Sequence, residues 1–172
     1  TNDCDLAEKM KQLRSHGVTR NSNLFEGESP GPWYYEQLSL GFNYRLSEIS
    51  AALGISQLDR LEKFVSRRTE LAQNYQHGLS GLPLWLPAKN DQVASAWHLY
   101  VVQVLEKDAG ISRNELFTRL RNKNIRVNVH YLPVYNHPYY RKLGFKSGYC
   151  PNAESYAARA ITLPLYASLT DD

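Results

Sequence analysis

From Ser47 to about Leu79, the residues Ile49, Leu53, Leu58, Leu61, Val65, Leu71 and Tyr75 recur with the period of a helix, with charged residues between them. That spacing gathers the apolar side chains into one stripe and leaves the polar ones to solvent. It predicts one long helix over 47–79, with Gly54 as the place for a kink, and the rest of the chain is read as elements hung on it.

Ahead of this helix, Leu6, Met10 and Leu13 share one face of a short amphipathic helix over 5–15, with Asp3 or Asp5 as its cap and Gly17 past its end. Between Asn21 and Leu40 the periodicity fails. Gly27, Ser29-Pro30-Gly31-Pro32 and Trp33-Tyr34-Tyr35 read as an irregular loop rich in aromatics, and long ordered loops often carry function.

Behind the helix, Gly81-Leu82-Pro83 and 87–94 read as a linker into a second unit. Trp97 to Val104 is rich in β-branched and aromatic residues and is read as a strand carrying a structural His98. Ser112 and Glu115 match a capping box before a helix that ends near Lys123-Asn124. A short strand at Ile125–Val129, a turn-rich segment from His130 to Tyr149, a helix over 152–160 and an extended stretch at 161–164 follow. Strand, helix, strand, helix, strand makes an α+β fold, a small and mostly antiparallel sheet with flanking helices beside the long one. Thr170-Asp171-Asp172 reads as the cap and acidic first turn of a further helix, so the chain is expected to stop short of its natural end.

A chain of 172 residues with this mixture of side chains can bury one core, and nothing in it suggests disorder or a fibre. It has no apolar run of about 18 residues, and residues 1–20 alternate apolar with charged groups, unlike a signal peptide. No membrane partner is expected, and the chain is read as cytoplasmic. Cys4 and Cys150 lack the neighbours of a zinc or disulfide framework and are read as buried or idle thiols. A formal charge of +3, with basic residues scattered apart from Arg67-Arg68 and the Arg119/Arg121/Lys123 run, suits an anionic small molecule. No nucleic-acid module is recognisable.

Two patches concentrate polar and aromatic groups outside the periodic elements. In Gly41-Phe42-Asn43-Tyr44-Arg45-Leu46, just before the long helix, Asn43 and Arg45 at a helix N-terminus suit a phosphate. On spacing alone, Asn43 as a simple helix cap and Arg45 as a solvated surface charge is the favoured reading. In the second patch, from Val129 to Tyr140, His130, Tyr131, Tyr135, His137, Tyr139 and Tyr140 offer neutral donors and flat faces, as a sugar or nucleotide requires. Surface packing of the tyrosines is the other reading. His130 and His137 have no carboxylate near in sequence, so no metal site is indicated.

These segments resemble the DegT/StrS family of sugar aminotransferases. The likeness runs through TNDCDLAEKMKQLRSHG, WYYEQLSLGFNYRLSEISAALGISQLDRLEKFVSRR, AWHLYVVQV, IRVNVHYLPVYNHPYY and ITLPLYASLTDD, five stretches in order. WYYEQLSLGFNYRLSE and HYLPVYNHPYYRKLGF are most similar to transaminases of the pseudaminic acid pathway. These aminate a UDP-linked 4-keto-6-deoxy-N-acetylhexosamine using glutamate.

The resemblance implies the C-terminal small domain of a type I aminotransferase fold with pyridoxal phosphate (PLP) as cofactor. Residues 1–45 would be the tail of the large cofactor-binding domain with an active-site loop, 46–80 an interdomain helix, and 81–172 the small domain. Asn43 would bond the cofactor phosphate in the partner's active site of a homodimer, with Arg45 assisting there or at the subunit contact. His130 and Tyr131, with Trp33 and Tyr34, would lie near the sugar nucleotide. The catalytic set is empty here, because the family's Schiff-base lysine lies upstream of the segment matching Thr1-Asn2-Asp3. The chain alone is therefore expected to be inactive, and residues 1–40, which in the family would pack on the large domain, are expected to be mobile, swapped or packed on a neighbouring chain. A stand-alone, non-catalytic module binding a nucleotide sugar or a protein is the rival reading.

Overall fold

In the computed structural model, which describes residues 1–88, 90 and 92–171, the chain forms two compact units, Thr1–Asp59 and Arg60–Asp172. Two expectations touch residues outside this description: the 87–94 linker includes Lys89 and Asp91, and the acidic turn at the end includes Asp172.

In the first unit, helix α1 (Cys4–Leu13) forms where the amphipathic spacing predicts it, and Asp3 caps it by accepting from the Leu6 amide at 2.9 Å. Its C-terminal carbonyls cannot be bonded within the helix. The GFNYRL segment satisfies them: Phe42 N–H donates to Leu13 O (2.6 Å) and Tyr44 N–H to Arg14 O (2.9 Å), while His16 N–H donates back to Phe42 O at 2.9 Å. Two glycines permit this approach. A Cβ on Gly17, whose φ is +71°, would strike the Ser39 carbonyl, and one on Gly41 would strike the backbone of Gly17. The aromatic loop is bracketed by two short antiparallel strands, β1 (Val18–Thr19) and β2 (Glu36–Gln37), which the failed periodicity of 21–40 had concealed.

The expected single long helix is two. Helix α2 (Glu48–Leu58) is capped by Ser47 and runs through Gly54 without interruption, and helix α3 (Leu61–Gly78) begins after Asp59 and Arg60. Both junction residues keep right-handed helical dihedrals, so the apolar period carries across a break that no Pro or Gly marks. None of the α2 residues is buried within this unit; Ile49 is 83% exposed.

The second unit is built on a three-stranded antiparallel sheet in the order β3 (Leu84–Trp85), β4 (Tyr100–Val104), β5 (Ala160–Leu163). Tyr100, Val102 and Val104 alternate inward along β4 and join Leu71 and Ala72 of α3, Val127, Ile161 and Leu165 in one core. Leu116, Phe117 and Leu120 of helix α5 (Arg113–Asn122) pack against it. Short helices α4 (Glu106–Ala109) and α6 (Pro138–Lys142), and α7 (Pro151–Arg159), complete the unit. The α+β class and the small antiparallel sheet stand as the sequence suggested.

Four local expectations are corrected. The strand begins at Tyr100, not Trp97, because Trp97 has positive φ and Arg68 Nη1 occupies the Trp97 and His98 carbonyls (3.0 and 3.2 Å); His98 is therefore exposed and off the strand. The 125–129 strand is a single bridge, Asn128 to Thr162, because the Val127 amide turns back to Ile125 O at 2.9 Å. Ser112 caps α5, yet Glu115 pairs with Arg119 a turn further on, so half of the capping box forms. Of the buried-or-idle reading of Cys4 and Cys150, the buried half is corrected, because both thiols are free and exposed. Among the described residues no helix is long and apolar enough to cross a membrane.

The core assignment predicts that Ile161→Ala, which empties a fully buried site, lowers the unfolding free energy by about 2–5 kcal/mol. Tyr100→Phe, which loses only the hydroxyl bond to Gln76 at 3.1 Å, should cost about 0.5–1.5 kcal/mol. Denaturant unfolding of the two variants reads both values, and an equal cost for the two would contradict this core.

Candidate functional site

Asn43 and Arg45 lie on an extended segment, not at a helix N-terminus. The cap of α2 is Ser47, whose hydroxyl accepts from the Ser50 amide at 3.2 Å, and Glu48 fills the first turn. This corrects both the capping reading of Asn43 and the helix-dipole reading of the patch. The backbone at Asn43 is nonetheless fixed: the bonds from Phe42 and Tyr44 flank it, and it bridges to Ser15. The Phe42 and Tyr44 rings stack at 4.8 Å on either side of it in sequence. Its carboxamide is exposed and, among the described residues, has no hydrogen-bond partner; Arg45 is exposed with no ionic partner among them. Two free donor groups on an ordered backbone, in a 41–46 segment without a carboxylate, match the donor set a phosphate takes.

The aromatic loop is held by Glu36, which sequence reasoning did not single out. Its carboxylate accepts from the amides of Glu26 (2.7 Å) and Gly27 (3.0 Å) and from the Tyr34 hydroxyl (3.1 Å). Tyr34 is half-buried, edge-on to Phe25 at 5.2 Å, whereas Trp33 is 71% exposed. The loop therefore fixes Tyr34 as a strut and presents Trp33. The Glu26 amide, then the Gly27 amide and the Tyr34 hydroxyl, hold the Glu36 carboxyl below its usual range against an opposing effect of burial.

In the second unit His130 and Tyr131 directly follow the bridge at Asn128. The His130 ring is half-buried with Nδ1 2.7 Å from Thr162 Oγ1, and Tyr131, 69% exposed, stands edge-on to it at 4.5 Å. Downstream, Glu154 of α7 gathers the turn-rich segment: it accepts from the Tyr135 hydroxyl (2.9 Å) and the Gly148 amide (2.6 Å). Burial first, and the Glu154 bond second, push the Tyr135 hydroxyl above its ordinary pKa. Tyr135 stands edge-on to Tyr149 and Tyr149 to Phe145, and within the 129–140 patch Tyr139 and Tyr140 pack edge to face on one another at the surface. His137 and Tyr139 are exposed on α6 and its cap. Trp33, Tyr34, Asn43 and Arg45 thus belong to the first unit, and His130 and Tyr131 to the second. A polar Thr in the apolar Ile161-Thr162-Leu163 run was the available sign that a buried hydroxyl there has a partner.

Comparison with known proteins is uniform. The DegT/DnrJ/EryC1/StrS aminotransferase family pattern matches residues 1–172. SpsC, a spore coat polysaccharide biosynthesis protein of Bacillus subtilis, is 43% identical over 176 residues, covering all of this chain and 45% of SpsC. Among solved structures, Spr1654 of Streptococcus pneumoniae, assigned as a sugar aminotransferase, superposes in its PLP-form with a TM-score of 0.84 at 30% identity, covering 99% of this chain and 41% of that one. PseC of Helicobacter pylori, an aminotransferase involved in pseudoaminic acid biosynthesis, gives 0.82 at 30% identity, covering 99% and 43%. The chain spans less than half the length of these relatives.

The Glu36 geometry carries a pH dependence. A carboxyl whose folded pKa is depressed stabilises the fold above its unfolded pKa, and that contribution is lost as pH falls through the folded value. Protection of the Glu26 and Gly27 amides against hydrogen exchange should therefore fall in the acid range below the ordinary carboxylate pKa. In Glu36→Gln the step should vanish; a step that persists would assign the loop's order to another group.

Proposed function

The chain belongs to the DegT/DnrJ/EryC1/StrS aminotransferase family, and from that premise we propose that it is the C-terminal part of a PLP-dependent enzyme moving an amino group from glutamate to a UDP-linked keto sugar. The sugar class draws on relatives named for spore coat polysaccharide and pseudoaminic acid biosynthesis, and the substrate proposed is a UDP-linked 4-keto-6-deoxy-N-acetylhexosamine. Residues 1–45 are assigned to the large cofactor-binding domain and its active-site loop, 46–80 to the interdomain helical region and 81–172 to the small domain. A cytoplasmic enzyme that works as a homodimer with shared active sites fits the same reading.

The observation that carries the proposal is the unpartnered Asn43 carboxamide on a backbone fixed by the C-terminus of α1. In the dimer Asn43 reaches the cofactor phosphate of the partner's site by donating a hydrogen bond, and Arg45 adds a positive charge there or at the subunit contact. Bound PLP supplies an electron sink for amino transfer. This chain's residues bind and orient. Trp33 offers a flat face to the sugar nucleotide, Tyr34 fixes the loop that presents it, and the His130 and Tyr131 side chains supply neutral hydrogen-bonding groups to the sugar. The apolar, exposed face of α2, with Ile49, Leu53 and Leu58, suits burial against other parts of the dimeric enzyme. Following the family resemblance, the lysine that links the cofactor covalently is assigned upstream of the segment matching Thr1-Asn2-Asp3, and Lys9 and Lys11 on α1 and Lys63 on α3 are not given that role.

In the full-length enzyme, Asn43→Ala is expected to weaken PLP retention about tenfold, as the loss of one hydrogen bond to a charged group implies, read by cofactor absorbance during dialysis. The chain alone, mixed with PLP and reduced with borohydride, should yield no single-site stoichiometric adduct by intact mass. One stoichiometric adduct on a defined lysine would move the cofactor-linked lysine into this chain and overturn the assignment.

A further inference from the structure

Strand β5 is apolar apart from Thr162, which is 5% exposed and lies between fully buried Ile161 and half-buried Leu163. A valine would fill the same volume and favour the strand as strongly, without a hydroxyl to desolvate. A buried hydroxyl is tolerated where it has a partner, and the one Thr162 has among the described residues is His130 Nδ1, at 2.7 Å. The strand that carries the hydroxyl is itself immobilised. Thr162 N–H donates to Asn128 O (2.8 Å), Asn128 N–H donates to Thr162 O (3.1 Å), and on the other side Thr162 is in register with Val101 of β4. His130 is two residues from this bridge, so its backbone is anchored by Asn128 and its ring by the hydroxyl.

We propose that Thr162 is the positioning residue of the sugar site: its hydroxyl holds the His130 ring so that the remaining nitrogen, Nε2, is offered to the sugar nucleotide. This rests on the placement of His130 at the sugar proposed above. A hydroxyl both donates and accepts, so it can hold Nδ1 whether or not that nitrogen carries the proton. The ring's orientation is thereby fixed while Nε2 stays free to donate to or accept from the sugar. Neither Thr162 nor the bridge at Asn128 touches the substrate, so the contribution is to binding geometry and not to proton transfer.

The test uses the full-length, PLP-loaded enzyme with Thr162→Val, Thr162→Ser and His130→Gln. Isotope-labelled histidine Cε1 signals report the His130 ring directly, with His130→Gln giving the assignment. In Thr162→Val the His130 signal should shift, and the KM for the keto sugar should rise about three- to tenfold, the size expected for one neutral hydrogen bond, with kcat little changed. Thr162→Ser should restore both, which a purely structural role of the threonine methyl group would not allow. An unmoved His130 signal in Thr162→Val overturns the inference. A raised KM in His130→Gln without one in Thr162→Val also overturns it while leaving His130 at the sugar. If His130→Gln itself leaves KM unchanged, the placement of His130 falls, and the role of Thr162 toward substrate falls with it.

Discussion

Strand β5 is bonded on both sides, by β4 along its length and by Asn128 at Thr162, and the larger unit is organised around that. The ladder with β4, the bridge at Asn128 and the Ala160 amide's bond to Tyr156 O of α7 pair backbone groups of a strand in which Ala160 and Ile161 are fully buried. The core formed with α3 and β4 then holds the strand at a fixed depth. The segment leaving Asn128 inherits that rigidity, so His130 starts from an anchored position although the residues after it turn repeatedly.

The smaller unit depends on a different device. It contains no fully buried apolar side chain among the described residues, and main-chain bonds between the end of α1 and the segment 42–44 join the β1–β2 pair and the Glu36 bonds in ordering it. Helix C-termini present carbonyls that need donors, and an extended strand passing close by presents them. Gly17 and Gly41 make the approach possible because a side chain at either would collide with backbone. The GFNYRL motif is therefore half scaffold: Phe42 and Tyr44 contribute amides inward, while the carboxamide of Asn43 between them is left for something else.

What was legible in the sequence was what obeys local rules. α1, α5, α7 and the centre of the sheet follow from periodicity and from caps at Asp3 and Ser112. Two of the misreadings share a cause, in that another bond, one tertiary and one within the helix, takes a group that the simpler pattern assumes free. Arg68 takes the carbonyls that would have extended β4 to Trp97, and Arg119 takes the Glu115 carboxylate that would have closed the capping box. The break after Leu58 stayed hidden because Asp59 and Arg60 hold nearly helical dihedrals. The candidate site residues were found as clusters of residue types, whereas the bonds from Glu36 to Gly27, from Glu154 to Tyr135 and from Thr162 to His130 span nine or more residues of sequence, and the one local sign of them is a polar Thr in an apolar run.

The candidate site residues fall into two mechanical classes, and the difference bears on how such a site would bind. The Tyr34 and His130 side chains are fixed by bonds formed within the chain, so little of their conformational freedom remains to be lost when a ligand arrives, whereas at Asn43 only the backbone is fixed. Trp33 and Tyr131 are largely exposed and make no hydrogen bond through their side chains among the described residues. Large aromatic surfaces of that kind gain by burial over a range of poses, while bonded groups demand one. Within each unit, then, bonded groups hold a fixed geometry and an exposed ring beside them offers apolar surface.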